Sequence, residues 1–139
     1  MTDDEWLERG RAVLASQPFS VLIGTEMTRL SGRGSELRLP ITDQLKQQHG
    51  FAHGGVVSYL ADNALTFAGG AKLAGMIVTG EMKINYIRPA VGDMLIARAE
   101  AISAGATQAV VRCDIFVVQD GAEKLCAAAQ GTINRLPER

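Results

Sequence analysis

The sequence predicts an α+β fold in which a curved antiparallel sheet wraps around one central helix. Three observations carry that expectation. A long apolar stretch rich in helix formers runs from His53 to about Lys72; an alternating, hairpin-like pair of segments precedes it; and four strand-like segments follow it before Leu136. A helix that is apolar nearly all round has to be enclosed rather than laid on a surface, and the strands are the only material available to enclose it.

Each element has its own local reason. Thr2, followed by Asp3, Asp4 and Glu5, is a helix start, because the hydroxyl can cap and the acids face the positive end of the helix dipole. Trp6, Val13 and Leu14 give that helix an apolar stripe. From Phe19 to Leu30 the residues are mostly apolar or β-branched, and after the Ser31-Gly32-Arg33-Gly34 turn Leu37, Leu39 and Ile41 alternate with Glu36, Arg38 and Pro40, which predicts a hairpin. The polar segment from Thr42 to Ala52 delivers the chain to His53-Gly54-Gly55, where the central helix begins. Its small residues Ala61, Ala64, Ala68, Gly69 and Gly70 would let strands approach closely. Strands are then expected at Ile77 to Ile87, Met94 to Ser103, Thr107 to Val118 and, after the Asp120-Gly121 turn signal, Lys124 to Leu136. Taken in order these four should form an antiparallel meander.

The 139 residues fit one domain, 1–139, with a real core and no room for a second of ordinary size. Apolar residues make up 47% and charged residues 21%, normal for a globular protein that folds throughout. A net charge of -1 gives no footprint for nucleic acid, whose binding depends on clustered Lys and Arg. The acidic opening has no basic leader before an apolar run, so a cytoplasmic location is expected. Asp62, Asn63, His53 and four glycines argue against a membrane span for the central stretch. Cys113 and Cys126 have neither a CxxC nor a zinc spacing and are expected as reduced packing residues. No phosphate-loop or dinucleotide fingerprint is present, so no cofactor is expected.

The chemistry concentrates on the central helix. Asp62 is the only formally charged side chain between His53 and Ala71, and a carboxylate in such surroundings persists only where it is hydrogen-bonded, paired or used. Backbone N–H groups at a helix start have no partner within the helix, and the dipole adds about half a positive charge there, so Gly54 and Gly55 can stabilise a carbonyl oxygen that becomes negative. Asp62 lies eight residues beyond Gly54, about 12 Å along the axis. One carboxylate cannot easily serve a carbonyl held at its own helix start. If two copies of the helix run antiparallel across a dimer axis, the Asp62 of one faces the Gly54 of the other, and the site belongs to the interface.

The run from Gln47 to Gly55 (QQHGFAHGG), the following Asp62, and the later run from Val78 to Ala90 (VTGEMKINYIRPA) resemble the hotdog-fold acyl-CoA thioesterases, in particular the branch typified by the phenylacetate-pathway thioesterases. The resemblance extends from about Pro18 to Asn134. It implies that Asp62 is the catalytic carboxylate, acting on the thioester carbon as nucleophile or by activating water. It also implies that the Gly54 N–H polarises the thioester oxygen, that Gln47 stands at a position that usually holds Asn near the substrate carbonyl or the water, and that Thr79 places a hydroxyl near the attacking water. The longer Gln47 departs from the pattern.

Around these, His53 is expected to hold the turn by hydrogen bonds and, with Gly55, to border the substrate. His49 and His53 lack the further ligands a metal site needs, and no metal is expected. Thr66, one turn after Asp62, either contacts substrate or bonds back to its own helix. Lys83 and Arg88 are candidates for the coenzyme A phosphates, with a solvated strand face as the plain alternative. Val56, Tyr59 and Leu60 are expected to line a pocket for an aromatic or medium-chain acyl group. The expected substrate is an acyl-CoA, and the expected assembly a homodimer that pairs into a homotetramer. Two other classes rank lower: a hotdog hydratase or dehydratase, which would add water to an enoyl-CoA without releasing thiol, and a non-catalytic acyl-CoA binding protein, which would bind without turnover.

Overall fold

The computed structural model describes residues 1–138. Helix α1 (Asp3–Ala15) starts at the expected cap: Thr2 accepts from the Glu5 N–H, and the Glu5 carboxylate accepts from the Thr2 N–H. Its stripe is narrower than expected. Leu14 is buried and Trp6 partly so, but Val13 is 48% exposed, and at Gly10 the helix lies close enough that a Cβ would run into the side-chain ends of Met27 and Leu30.

The hairpin expected from Phe19 onward begins later than the sequence suggests. Pro18–Ile23 is a short helix, α2, because proline suits a first helical turn and Gly24, at φ 89°, ends the turn in the left-handed region. Strand β1 (Glu26–Ser31) then pairs with β2 (Gly34–Pro40) across the two residues Gly32 and Arg33.

Helix α3 (Gly54–Gly70) carries the apolar stretch. Leu60, Ala61, Ala64 and Leu65 are fully buried against the sheet, each leucine contributing about 1.5–3 kcal/mol by its burial. The small residues at its end do permit close approach, since a Cβ on Gly69 would meet Ile133 and one on Gly70 would meet Ile77. Strands β3 (Ile77–Tyr86), β4 (Met94–Ala104), β5 (Gln108–Gln119) and β6 (Ala122–Arg135) follow near the expected bounds. Asp120 and Gly121 turn with φ 52° and 76°, the positive pair that a two-residue hairpin between twisted strands requires.

The simple four-strand meander is not what forms. All pairings are antiparallel, but the order is β1-β2-β4-β5-β6-β3, so only β4, β5 and β6 meander while β3 lies on the outer edge of β6. Burial explains the exchange. Leu95, Ile96 and Ala97 of β4 are buried in succession, on both faces of the sheet, which suits an interior position; β3 exposes Gly80, Glu81, Lys83 and Asn85, which suits an edge.

A second feature of β3 bears on the site. The register slips between Thr79 and Glu81, so Gly80 is the extra residue of a bulge. The residues packed inward are therefore Ile77 and Thr79 before the bulge and Met82 and Ile84 after it. No described helix is long and apolar enough to cross a membrane.

Candidate active site

The chain reaches α3 through a compact loop. Gln47 donates its backbone N–H to Phe51 O at 2.9 Å, the His49 N–H donates to the Gln47 side-chain oxygen, and His53 donates its N–H to Leu45 O at 2.9 Å. Gln47 thus spends its side-chain acceptor within its own loop and keeps only its amide N–H donors free.

His53 occupies the cap of α3, where its Nδ1 accepts from the Gly55 N–H at 2.8 Å. That contact requires glycine at 55, because a Cβ there would press on the imidazole at 2.9 Å. It also removes the Gly55 N–H from use by a ligand. The Gly54 N–H, next to it at the positive end of the helix, has no acceptor among the described residues. Of the two glycines, only Gly54 offers a free donor.

Beside Gly54 lies a cavity of about 330 Å³. Its floor is made of the buried Ala52, Val57, Ala90 and Cys126, and its rim of Phe51, Tyr86, Ile87, Arg88 and Pro89. Tyr86 covers the helix start, its hydroxyl donating to Gly54 O at 3.3 Å. Arg88 brings the cation at this rim and forms no ion pair among the described residues; Lys83 stands exposed further back along β3. The Cys126 thiol is pushed up to about 11 by burial and stays protonated, as does that of Cys113, pushed up to about 12 for the same reason. Neither is a thiolate nucleophile.

Two turns along α3, Asp62 meets a hydroxyl pair. Thr79 donates to Asp62 Oδ1 at 2.6 Å, Thr66 donates to Asp62 O at 2.8 Å, and the two threonine oxygens lie 3.1 Å apart. The bulge at Gly80 belongs to this arrangement, since it ends the stretch of β3 whose alternation points Thr79 at the helix. Asp62 is half-buried rather than locked in the core, and no cation pairs with it among the described residues. It does not border the cavity at Gly54.

The remaining expected residues divide. Tyr59 turns toward α2: its hydroxyl bonds Ser20 Oγ at 2.5 Å, Thr25 Oγ1 at 2.8 Å and Asn63 Nδ2 at 3.2 Å, and its ring meets Phe19 edge-on. Gln17 closes this network by bonding both Ser20 and Asn63. Leu60 has no exposed surface and belongs to the core instead of a pocket wall, while Val56 packs against that core. The wall residues Phe51, Ala52, Val57, Tyr86 and Cys126 were not singled out by sequence reasoning. Their signal was faint: Tyr86 stands inside the quoted NYIRPA run, but nothing in the sequence joins Cys126 to residue 54. Among the described residues no group of three or more His, Cys, Asp or Glu could hold a metal.

The profile of the thioesterase superfamily matches residues 49–124, which include the end of the loop, α3 and strands β3, β4 and β5. A thioesterase family protein from Silicibacter pomeroyi has a closely similar structure, with a TM-score of 0.91 and 30% identity over 96% of this chain and 99% of that one. The thioesterase HI1161 from Haemophilus influenzae superposes with a TM-score of 0.81 at 26% identity, covering 96% and 94% of the two chains. The PaaI protein of the E. coli phenylacetic acid degradation operon shares the fold, with a TM-score of 0.84 at 24% identity over 99% and 97%.

Proposed function

The chain belongs to the thioesterase superfamily, a thioester hydrolase on a hotdog fold, and we propose that it hydrolyses an acyl-CoA, with an aromatic or medium-chain acyl group, at a site shared between two subunits. The Gly54 N–H of one subunit holds the thioester oxygen. Asp62 of the facing subunit delivers the attack, either through its own carboxylate oxygen or by taking a proton from water. The tetrahedral carbon carries its negative oxygen against the Gly54 amide, then expels the coenzyme A thiolate. Where water attacks, the free acid forms at once and the thiolate takes the proton that Asp62 drew from the water; where Asp62 itself attacks, the acyl group is left as an anhydride on Asp62, which water then hydrolyses to free the acid and the carboxylate while supplying the thiolate's proton. Thr79 orients the carboxylate, and the free amide donors of Gln47 lie in the loop that leads to Gly54. His53 holds that loop to the helix, and Arg88, with Lys83 behind it, offers positive charge to the nucleotide phosphates.

One observation carries this reading: a free amide beside an apolar cavity and an unpaired acid held by a hydroxyl sit on a single helix, about 12 Å apart. Neither half is complete alone. The open edge of β3 supports the pairing, since ten residues of strand end there with unmatched backbone groups. A second copy added along that edge would continue the sheet and bring two α3 helices side by side. The expected assembly is a homodimer, with a homotetramer formed from two of them, and a cytoplasmic location fits acyl-CoA as substrate.

The test is an acyl-CoA panel with free-thiol detection, run on the wild type and on Asp62→Asn and Asp62→Ala. Thiol release that falls by a hundredfold or more in both variants supports the assignment; wild-type rates in either one overturn it.

A further inference from the structure

Thr66 was expected either to touch substrate or to bond within its helix, and the geometry gives it a more specific task. Each threonine hydroxyl has one proton to give. That of Thr66 goes to the carbonyl of Asp62, four residues back, at 2.8 Å. This fixes the side-chain rotamer and leaves Thr66 Oγ1 only lone pairs to offer. Its neighbour at 3.1 Å is Thr79 Oγ1, whose single proton has two acceptors within reach: Thr66 Oγ1, and Asp62 Oδ1 at 2.6 Å. A bond to a carboxylate is the stronger of the two, so the resting proton of Thr79 lies on Asp62. Thr66 then acts as a backstop. Its oxygen limits how far the Thr79 hydroxyl can swing and accepts the proton whenever the carboxylate gives up its charge, as it must in either route of attack.

We propose that Thr66 is a positioning residue, not a substrate contact: with its own proton held by the Asp62 carbonyl, it sets the Asp62 carboxylate through Thr79. This rests on Asp62 being the attacking acid. The three groups lie on two elements joined only by tertiary packing, α3 and the bulged edge strand β3. The bond from Thr79 to Asp62, which Thr66 backs, ties the catalytic helix to the strand on which the proposed dimer is built.

The experiment is a double-mutant cycle on the full-length protein with steady-state acyl-CoA hydrolysis as readout, alongside Asp62→Asn. Thr66→Val keeps the shape and removes the hydroxyl. It should lower kcat roughly tenfold to a hundredfold with KM within about twofold of wild type, the loss that a misplaced group of this kind produces. Thr66→Ser, which restores the hydroxyl, should recover most of the rate. Thr66→Val combined with Thr79→Val should be no slower than Thr79→Val alone. Thermal melts identify any variant lost to misfolding, and Thr66→Ser against Thr66→Ala then repeats the comparison. A raised KM at unchanged kcat, multiplying losses in the double variant, or wild-type kcat in Thr66→Val overturns the inference. If Asp62→Asn is slow while Thr66→Val is normal, the inference alone fails; if Asp62→Asn keeps the wild-type rate, the reading beneath it fails as well.

Discussion

At the scale of single residues, the site is defined by which polar groups are left over. The Gly55 N–H is spent on His53 and the Gln47 carbonyl oxygen on its own loop, so the unspent Gly54 N–H stands out by subtraction. The same geometry makes that donor removable. Gly54 is the first residue of α3, where proline is tolerated, and His53 before it has φ -60° and ψ 135°, a conformation compatible with a following proline. Gly54→Pro should therefore fold, as judged by circular dichroism, yet lose about a hundredfold to a thousandfold in kcat. Gly54→Ala keeps the N–H, and its Cβ would meet Tyr86 at an ordinary 3.6 Å, so it should lose far less. Gly69 behaves in the opposite way. Alanine gains about 1 kcal/mol in helix propensity, but its Cβ would lie 2.8–2.9 Å from Ile133, including the branched Cβ that cannot swing aside. Gly69→Ala is expected to destabilise by about 1 kcal/mol net in urea unfolding, because overpacking typically costs about 1–3 kcal/mol.

At the scale of elements, two polar devices hold helices and strands in place. Tyr59 joins α2 to α3 through Ser20, Thr25 and Asn63, and Tyr59→Phe should cost about 1–2 kcal/mol by leaving those partners short of a bond. On the outer face of the sheet Arg98 of β4 reaches Glu36 of β2 at 2.7 Å and Glu123 of β6 at 2.6 Å, with its guanidinium over Phe116 of β5. Burial raises the Glu36 carboxyl, but hydrogen bonds from Thr28 and Arg98 outweigh it and hold the group below the usual range; the bond from Arg98 lowers Glu123 as well. A depressed carboxylate stabilises the fold above its unfolded value and loses that contribution as pH falls through its folded one. The stability gap between wild type and Arg98→Met should therefore be present at neutral pH and close below about pH 4, the ordinary glutamate range. Melts across pH measure it. Solvent reaches about a third of the Arg98 and Glu123 side chains, and its screening keeps the gap to about 1 kcal/mol.

At the scale of the whole molecule, the proposal that two subunits share each site makes a prediction no single-chain site can meet. Asp62→Asn and Gly54→Pro homodimers should both be nearly inactive. Unfolded together and refolded as a mixture, half of the dimers would be mixed, and each of those would pair one intact Gly54 with one intact Asp62. The mixture should recover about a quarter of wild-type activity, as two-fold symmetry requires. No recovery, with mixed dimers demonstrated by differently tagged chains, would place both groups in one subunit. Light scattering on the wild type gives the assembly independently.

What the sequence determined by itself is what local chemistry specifies. The Thr2 cap, the Asp120-Gly121 turn, the central helix and the stretch of each late strand follow from neighbouring residues and their periodicity. Asp62 stood out as a lone charge in an apolar run, and Gly54 as a glycine at a helix start. Tertiary structure decided the rest. The order of the strands depends on how many faces each must bury, which sent β4 inward and β3 to the edge. The partners of Asp62 come from a strand whose register is shifted at Gly80, the cavity beside Gly54 brings Cys126 to the start of α3, and Tyr59 was claimed by α2. Each of these is a choice between partners far apart in the chain, and burial and proton supply make that choice only once the chain has folded.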